Sequence, residues 1–433
     1  MSERLLPPLR LVLLGVLLSP TLARADSGAT SGESSRAASL AGAVVGRAGD
    51  TSAISANPAA VADISRSTIA LLAHAGRFEL SYHRDDERAH RMQRGLGGYG
   101  VSLVVRMPGP DWLRRLRLGA AVHMPHGSLI GVSAPSRVDE PSAPLYGTRL
   151  ERTAVSAVLA YELPEGFRVG IGISIAPTLW APTRVVFEPG RGDTIDAGAV
   201  ADLQREVRFE ARVIAGLRYE PIPQLGFGIA FRQAQSIAAT GPNLIRAGNV
   251  LVDDPIDFVD FYTPDELAWG VCGSPIPELS ISVDGVWQRW SAFTTIHHET
   301  PDPAWHDTVS IRAGVEARVT RWYALRAGWA HEPTPVPAQI GPTNLFDASR
   351  QVLAVGLGFD LEEARVAPLR IDVHARAHVI DGVRAIKDER ALGDASSLLG
   401  GTQIDNLGYP AINARLSYFD VGLTLTIALE GRR

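Results

Sequence analysis

The chain has 433 residues, a formal net charge of −5 and a pI near 6.1. This mildly acidic balance offers no basic footprint for nucleic acid. The single cysteine, Cys272, excludes an intramolecular disulfide framework and a zinc site built from cysteines. The length suits two or three ordinary domains, although a β-barrel of this size forms one unit.

The first 25 residues have the pattern of an export signal. Arg4 and Arg10 precede an apolar run at 11–18 that is too short for a bilayer span, which needs about 20 residues. Ala23 and Ala25 place small residues where a signal peptidase reads them. We therefore expect residues 1–25 to be removed; a buried core helix is the alternative. No later segment approaches about 18 uninterrupted apolar residues, so no transmembrane helix is expected in the mature chain.

Residues 26–66 differ in composition and patterning from the rest of the chain. Residues 26 to about 36 are rich in Ser, Gly and Thr and predict a flexible leader. Residues 37–64 are rich in Ala and Gly and lack strand alternation. They predict a compact, partly helical piece that ends in a turn at Asn57-Pro58. We assign 26–66 to a leader and plug, and 67–433 to a barrel.

From Thr68 onward, bulky apolar residues alternate with small or charged ones. In the segment 167–176, for example, Phe167, Val169 and Ile171 alternate with Arg168 and Gly170. Such segments predict an all-β protein of about fourteen antiparallel strands. The strands are expected near 68–82, 98–107, 115–124, 148–163, 167–178, 203–219, 225–236, 263–272, 277–289, 308–319, 322–331, 349–361, 368–380 and 414–429.

The connections between these strands distinguish a transmembrane barrel from a soluble sandwich. Links after odd-numbered strands are mostly long, as at 178–203 and 236–262, whereas links after even-numbered strands are tight turns. This rhythm is typical of outer-membrane barrels, with long external loops and short periplasmic turns. One strand face also collects charges of both signs, which a polar lumen accommodates. A sandwich or jelly roll shares the alternation but not the loop rhythm.

The sequence offers little for catalysis or metal binding. The glycine-rich stretch 42–49 lacks the Gly-Lys-Ser/Thr ending of a phosphate loop. His298, Glu299 and His306 lie in a proline-bounded loop without metalloprotease spacing. No G-x-S-x-G elbow is present, although a barrel-surface hydrolase can use another serine motif. We expect no catalytic residues, no metal and no cofactor, and do not expect an enzyme.

Two groups of motifs resemble the FadL/TodX family of outer-membrane transporters for long-chain fatty acids and other hydrophobic compounds. The first is a stretch typical of that family's plug, the hatch, and its matching residues are Ala48, Asp50, Ser52, Asn57, Pro58 and Ala59. The second group lies downstream in the family's order and comprises Thr263–Val271, Trp287–Phe293, Leu325–Ala330 and Pro335–Pro337.

The resemblance implies a function as well as a fold. It implies a plugged fourteen-stranded barrel in the outer membrane of a Gram-negative bacterium, passing hydrophobic molecules such as long-chain fatty acids without an energy source. The implied partners are these molecules, outer-membrane lipid and, during biogenesis, the barrel-assembly machinery; the protein is expected to be a monomer. The alternative is a FadL-like barrel that serves as a structural or secretion partner, since one fold hosts unrelated functions.

Two of the long loops, 178–203 and 236–262, are the candidates for ligand capture. Their apolar residues would bind hydrophobic cargo, and an arginine would meet a carboxylate as a charge-assisted partner. An equally weighted alternative is that the aromatic residues only cap the barrel and that the arginines are solvated. The candidates, chosen from their position alone, are Leu179, Trp180, Arg184, Phe187, Leu244, Arg246, Phe258 and Phe261.

Overall fold

The structure is a computed structural model. The residues that it describes are 34–47, 49–84, 90–126, 145, 153, 154–180, 183–188, 198–203, 206–247, 250–253, 256–295, 298–392 and 406–429. The expected signal peptide, most of the expected leader and the motif residue Ala48 lie outside these ranges.

Fourteen strands of the described residues form a closed antiparallel barrel. The ring closes because the last strand pairs with the first, from Thr68 opposite Ala428 to Arg84 opposite Ile412. Numbered in chain order with the shorter strands, its members are β1 (Thr68–Arg84), β2 (His90–Arg106), β3 (Leu116–Pro125), β4 (Ala154–Glu162), β5 (Phe167–Trp180), β8 (Glu206–Ile222), β9 (Leu225–Arg232), β14 (Glu266–Ile276), β15 (Leu279–Gln288), β16 (Thr308–Thr320), β17 (Tyr323–Glu332), β18 (Arg350–Asp360), β19 (Leu369–Ile380) and β21 (Ala411–Ala428).

Shorter elements lie outside the ring or inside it. Four strands form a separate sheet: β6 (Thr183–Glu188), β7 (Gly198–Leu203), β11 (Asn243–Ala247) and β12 (Val250–Asp253). Three extend the barrel sheet: β10 (Gln235–Gly241), β13 (Ile256–Thr263) and β20 (Val383–Ile386). The helices are α1 (Ser35–Ser39), α2 (Ala53–Ala56) and α3 (Asp111–Arg114), with 3₁₀ turns at Pro58–Asp63, Pro164–Gly166 and Trp290–Ala292. Within the described ranges, no helix has the length and apolar character needed to cross a membrane.

The strand number and the alternation of long and short links agree with the sequence prediction. The first hairpin departs from it, because β1 and β2 extend to Arg84 and His90 and leave a link of only residues 85–89. The sequence at 83–97 is polar and carries no apolar alternation. Backbone pairing continues there regardless, since ladder hydrogen bonds do not require an apolar face.

The two faces of the barrel wall have opposite chemistry. Large apolar side chains such as Ile171, Ile229, Val283 and Val355 point outward and are exposed. Charged and small side chains point inward and are buried, among them Glu316. Because an apolar exterior requires an apolar solvent, the outward face fits lipid rather than water.

Introducing arginine at Ile171 tests this assignment of faces. Ile171 is 59% exposed in the middle part of β5, so Ile171→Arg places a charge against the hydrocarbon core. We expect the free energy of unfolding in lipid vesicles to fall by about 2–4 kcal/mol. The control is Phe209→Arg, on the same outward face of the adjacent strand but near its loop end. There the expected cost is only about 0–1 kcal/mol. Equal costs at both positions would contradict a membrane-embedded wall.

Candidate functional site: the hatch and the barrel interior

Residues 34–64, named the hatch here, fold inside the barrel as two short helices and a 3₁₀ turn. The Ser34 side chain caps α1 by accepting a hydrogen bond from the Ala37 amide at 3.1 Å. Side chains of Leu40, Ala43 and Ile54 are completely buried. Small residues dominate in the hatch because its backbone packs directly against the barrel wall. The compact, partly helical form agrees with the prediction made for residues 37–64.

Glycines on the inner wall make room for the hatch backbone. A Cβ added at Gly170 or Gly216 would overlap Pro58 or Asn57, and one added at Gly228 would overlap the Val45 carbonyl. The same relation holds across several other strands, at Gly270, Gly314, Gly328 and Gly356. These glycines therefore allow the hatch backbone to approach the inner face of the wall closely.

Asn57 joins two parts of the hatch to the wall. Its Nδ2 donates to the Val45 carbonyl at 2.9 Å and to the Leu217 carbonyl at 3.2 Å. Its Oδ1 accepts from the Ala59 amide at 3.1 Å and so caps the 3₁₀ turn that begins at Pro58. The proline fixes the backbone at the start of this turn without losing a hydrogen bond. The Asn-Pro-Ala motif is thus a structural joint of the plug.

Asp50 organises the loop before α2. Its carboxylate accepts hydrogen bonds from Ser34 Oγ and Ser52 Oγ, both at 2.5 Å, and from the Ser52 amide at 3.1 Å. Burial by itself would raise the pKa of Asp50, but the charge of Arg36 and the serine hydrogen bonds outweigh burial and lower that pKa. A cavity of about 10 Å³, roughly the space of one water, lies between Asp50, Arg36 and Arg47.

A buried carboxylate on the wall ties the hatch to the barrel. Glu316 of β16 pairs with Arg36 at 2.8 Å and with Arg47 at 2.6 Å, both from the hatch. It also pairs with Arg326 of β17 at 2.6 Å, and Arg326 continues to Asp372 of β19 at 2.8 Å. Charges that lie far apart in the sequence therefore form one network, and two of its members belong to the plug.

Three further wall arginines hold the second half of the hatch. Arg168 and Arg218 each contact the Asp63 carboxylate at 2.8 Å. Arg232 donates to the carbonyls of Ser55 and Ala56, both at 2.7 Å. The hatch is consequently anchored along its whole described length by polar bonds rather than by apolar packing alone.

A polar layer lies beside and above α1. Asp420 of β21 accepts hydrogen bonds from His374 Nε2 and from Arg376, each at 3.0 Å. Four residues further along the same strand, the Thr424 hydroxyl accepts a hydrogen bond from the Ser35 N–H of the hatch at 2.8 Å. In the opposite direction the inward residues turn apolar, beginning with Tyr418, whose ring lies 4.5 Å from that of His378. The interior therefore contains the hatch, then a layer of charged side chains, and then a layer of apolar side chains.

The loop end of the interior contains two joined apolar clusters. The upper cluster consists of Phe78, Leu80, Leu96, Phe346, Ala385, Ile412, Ala414, Leu416 and Tyr418. The tryptophan cluster consists of Trp290, Trp305 and Val336 with Tyr262, Phe293 and Leu345 against it. Leu145 packs against both clusters, so they form one apolar region beneath the loops. Its core includes a stacked pair, Phe293 and Trp305, with ring centroids 3.8 Å apart.

The structure brings the two candidate capture loops together. Strands β6 and β11 pair in parallel, which sets Leu244 opposite Arg184, and Ala247 opposite Phe187. Arg246 lies on the same strand as Leu244, opposite Val186. In the neighbouring extension, β10 pairs with the end of β5 at Leu179 and Trp180, and with β13 at Phe258 and Phe261. Trp180 is half-buried and carries the Arg208 guanidinium 4.4 Å from its ring centre.

These features define a class of protein: an outer-membrane-type β-barrel whose lumen is filled by its own N-terminal segment. The family described as outer membrane protein transport protein (OMPP1/FadL/TodX) has a model that matches residues 259–403. This match confirms the resemblance and contains the downstream motifs from Thr263–Val271 to Pro335–Pro337, and the family is one of Gram-negative outer-membrane barrels. No protein of curated function matches the chain significantly.

Solved structures share the fold over nearly the whole chain. A Pseudomonas aeruginosa FadL homologue is 16% identical with a TM-score of 0.61, covering 95% of this chain and 99% of its own. The Pseudomonas putida toluene transporter TodX is 12% identical with a TM-score of 0.56, covering 95% and 100%. The Ralstonia pickettii toluene transporter TbuX is 13% identical with a TM-score of 0.51, covering 92% and 99%. At such identities the likeness establishes the fold.

The joined apolar clusters were not predictable from the sequence. Their members come from three barrel strands (β1, β2 and β21), from the extensions β13 and β20 and from several loops, and no local pattern connects Phe78 with Phe346 or Ile412. One signal was present, because Trp290, Phe293 and Val336 belong to the motifs that resemble the family. The glycines of the inner wall were visible as the small residues of the alternation, but their meaning depended on what filled the lumen.

Proposed function

We propose that this chain is a passive outer-membrane transporter of hydrophobic molecules, with long-chain fatty acids and monoaromatic hydrocarbons as the cargo classes to test. The observation that carries the proposal is the apolar region under the loops, set above a plugged lumen. A polar outer leaflet resists apolar molecules, and such a region captures them with about 25 cal/mol for each Å² of apolar surface buried.

First contact with cargo is proposed for the loop strands beside this region. Leu179, Trp180, Phe187 and Leu244 would offer apolar surface, together with Phe258 and Phe261. Arg184 and Arg246 would be needed only for cargo with a carboxylate. The Arg184→Ala/Arg246→Ala double variant should therefore reduce uptake of palmitate and leave uptake of toluene unchanged.

We propose the following route of export and assembly. Residues 1–25 would be cleaved, residues 26–66 would serve as leader and hatch around the motif Asp50, Ser52, Asn57, Pro58 and Ala59, and residues 67–433 would be inserted as a monomeric barrel by the assembly machinery. A role only as a structural or secretion partner gives no reason for an apolar interior closed by loops. We propose no catalytic role, and the names of several similar structures describe transporters and channels.

Uptake by a deletion strain tests the proposal. The strain should lose uptake of labelled palmitate or toluene at limiting concentration, and the gene in trans should restore it. The expected loss is about tenfold, because cargo that partitions poorly into a polar leaflet lacks an alternative path. Acetate uptake serves as the control and should not change. Unimpaired uptake of both hydrophobic probes would contradict a transport function.

A further inference from the structure

The connection between β17 and β18, residues 333–349, folds back over the apolar interior and is named the strap here. Its Phe346 is completely buried in the upper cluster, together with Phe78, Leu96 and Ile412 of the barrel. Its Val336 and Leu345 belong to the tryptophan cluster. Side chains of the strap thus occupy the same apolar region that the proposed function assigns to cargo.

Lys387, the only lysine in the sequence, holds the strap in this position. It follows β20, and its Nζ donates to the carbonyls of Gln339 at 2.9 Å, Gly341 at 2.8 Å and Thr343 at 2.7 Å. An ammonium group has three N–H donors, so it can serve all three of these strap carbonyls at once. The lysine is 6% exposed, so its charge is held by strap carbonyls in place of water.

Neighbouring bonds define the same strap conformation. Gln339 Oε1 accepts from the Thr343 hydroxyl at 2.7 Å and from the Leu345 amide at 3.2 Å, which turns the strap toward the cluster. Asn406 Nδ2 donates to the Pro342 carbonyl at 3.0 Å. The strap carbonyls converge on Lys387 only in this folded form, because their directions are set by these turns. Lifting the strap would expose the ammonium to water.

We propose that Lys387 latches the strap shut, and that Phe346 occupies the seat of the hydrophobic cargo, which enters when the strap lifts. This inference rests on the proposed transport function for the identity of the cargo. A phenyl side chain in the seat makes a compact apolar group the natural competitor. Binding of cargo then displaces Phe346, the strap moves, and the Lys387 hydrogen bonds break.

The single lysine makes the latch directly measurable. The Arg384→Lys variant adds an exposed lysine three positions before Lys387, so that both amines are labelled in one molecule. The detergent-solubilised protein is treated with sulfosuccinimidyl acetate, and acetylation of the two positions is followed by peptide mass spectrometry. Lys387 should react at least about tenfold more slowly than the lysine at 384, since it reacts only when the strap opens.

Addition of toluene or palmitate provides the second readout. The cargo that cells take up should raise the Lys387 rate at least about threefold, because it favours the open strap, and should leave the rate at 384 unchanged. Equal rates at the two positions without cargo would overturn the latch. If a cargo that is shown to enter cells leaves the acetylation rate of Lys387 unchanged, the proposal that Phe346 occupies the cargo position is wrong.

The Phe346→Ala variant tests the strap without any cargo. Loss of the buried phenyl ring removes the apolar contact that holds the strap down together with Lys387, so Lys387 should react at least about threefold faster in the absence of ligand. The rate at 384 and heat-modifiable migration on gels verify that the barrel is folded. An unchanged Lys387 rate in this variant would refute the strap even if uptake succeeds. If Phe346→Ala raises the Lys387 acetylation rate as expected but the uptake experiment fails, the transport function is refuted and the strap is not.

Discussion

Replacement of Glu316 by glutamine is expected to loosen the hatch and to lower the free energy of unfolding by about 3–5 kcal/mol, because it leaves buried arginines without their shared counter-charge. Arg36 and Arg47 of the hatch both pair with this carboxylate, as does Arg326 of the wall. A hatch without this tie should move away from the wall. Planar-bilayer recordings should then show frequent ion-conducting events, and trypsin should cleave at Arg36 and Arg47, which are buried in the native protein.

The matched control is Glu332→Gln. Glu332 pairs with Arg312 at 3.3 Å and Arg350 at 2.6 Å, and its ion pairs in the described part of the chain involve no hatch residue. Its loss should also destabilise the barrel, but without added conductance or cleavage in the hatch. Similar conductance in the two variants would show that Glu316 contributes to barrel stability alone and does not hold the plug.

A single methyl group at Gly228 is expected to displace the hatch by steric overlap. The Cβ of Gly228→Ala would overlap the Val45 carbonyl oxygen. The position of Val45 is fixed by two hydrogen bonds: its carbonyl accepts one from Asn57, and its N–H donates one to the Asp284 carboxylate at 2.7 Å. Backbone on both sides cannot yield as a flexible side chain would. We expect a loss of about 3 kcal/mol in the free energy of unfolding. Trypsin cleavage at Arg47 should report the displaced segment.

Gly273→Ala supplies the control for this substitution. A Cβ at Gly273 would meet nothing within 4 Å, and this glycine also lies on a barrel strand, β14. Alanine there should be neutral or should stabilise by about 0.4–1 kcal/mol, because it restricts the unfolded chain. Gly228→Ala is thus expected to destabilise the protein, whereas Gly273→Ala is not. A neutral effect at Gly228 would mean that the hatch does not lie against β9.

Strand positions were largely predictable because each barrel strand must alternate its two faces independently of its neighbours. Ile171 and Gly170 reveal the lipid face and the inner face of β5 without any knowledge of β4 or β8. The first hairpin was underestimated for the corresponding reason, since beyond the membrane both faces meet water and residues such as Arg91 and Gln93 carry no alternation. Pairing there depends on the backbone alone.

Candidate capture residues were predicted only as members of two long loops. No local pattern predicts that β6 and β11 pair in parallel, which is what sets Leu244 opposite Arg184. The strap was equally hidden. Lys387 is conspicuous in composition as the only lysine, but its role depends on three carbonyls from a segment more than forty residues earlier in the chain.

The sequence by itself determined the fold class, the strand number, the rhythm of loops and turns, and the presence of a small-residue plug with an Asn-Pro joint. These properties are local, because periodicity two and turn chemistry act over a few residues. Only the tertiary structure decided which wall glycines receive the hatch, which arginines share Glu316, and which apolar side chains close over the lumen. Those arrangements depend on the curvature and stagger of the closed ring, which bring together residues from distant strands according to a geometry that no short stretch of sequence records.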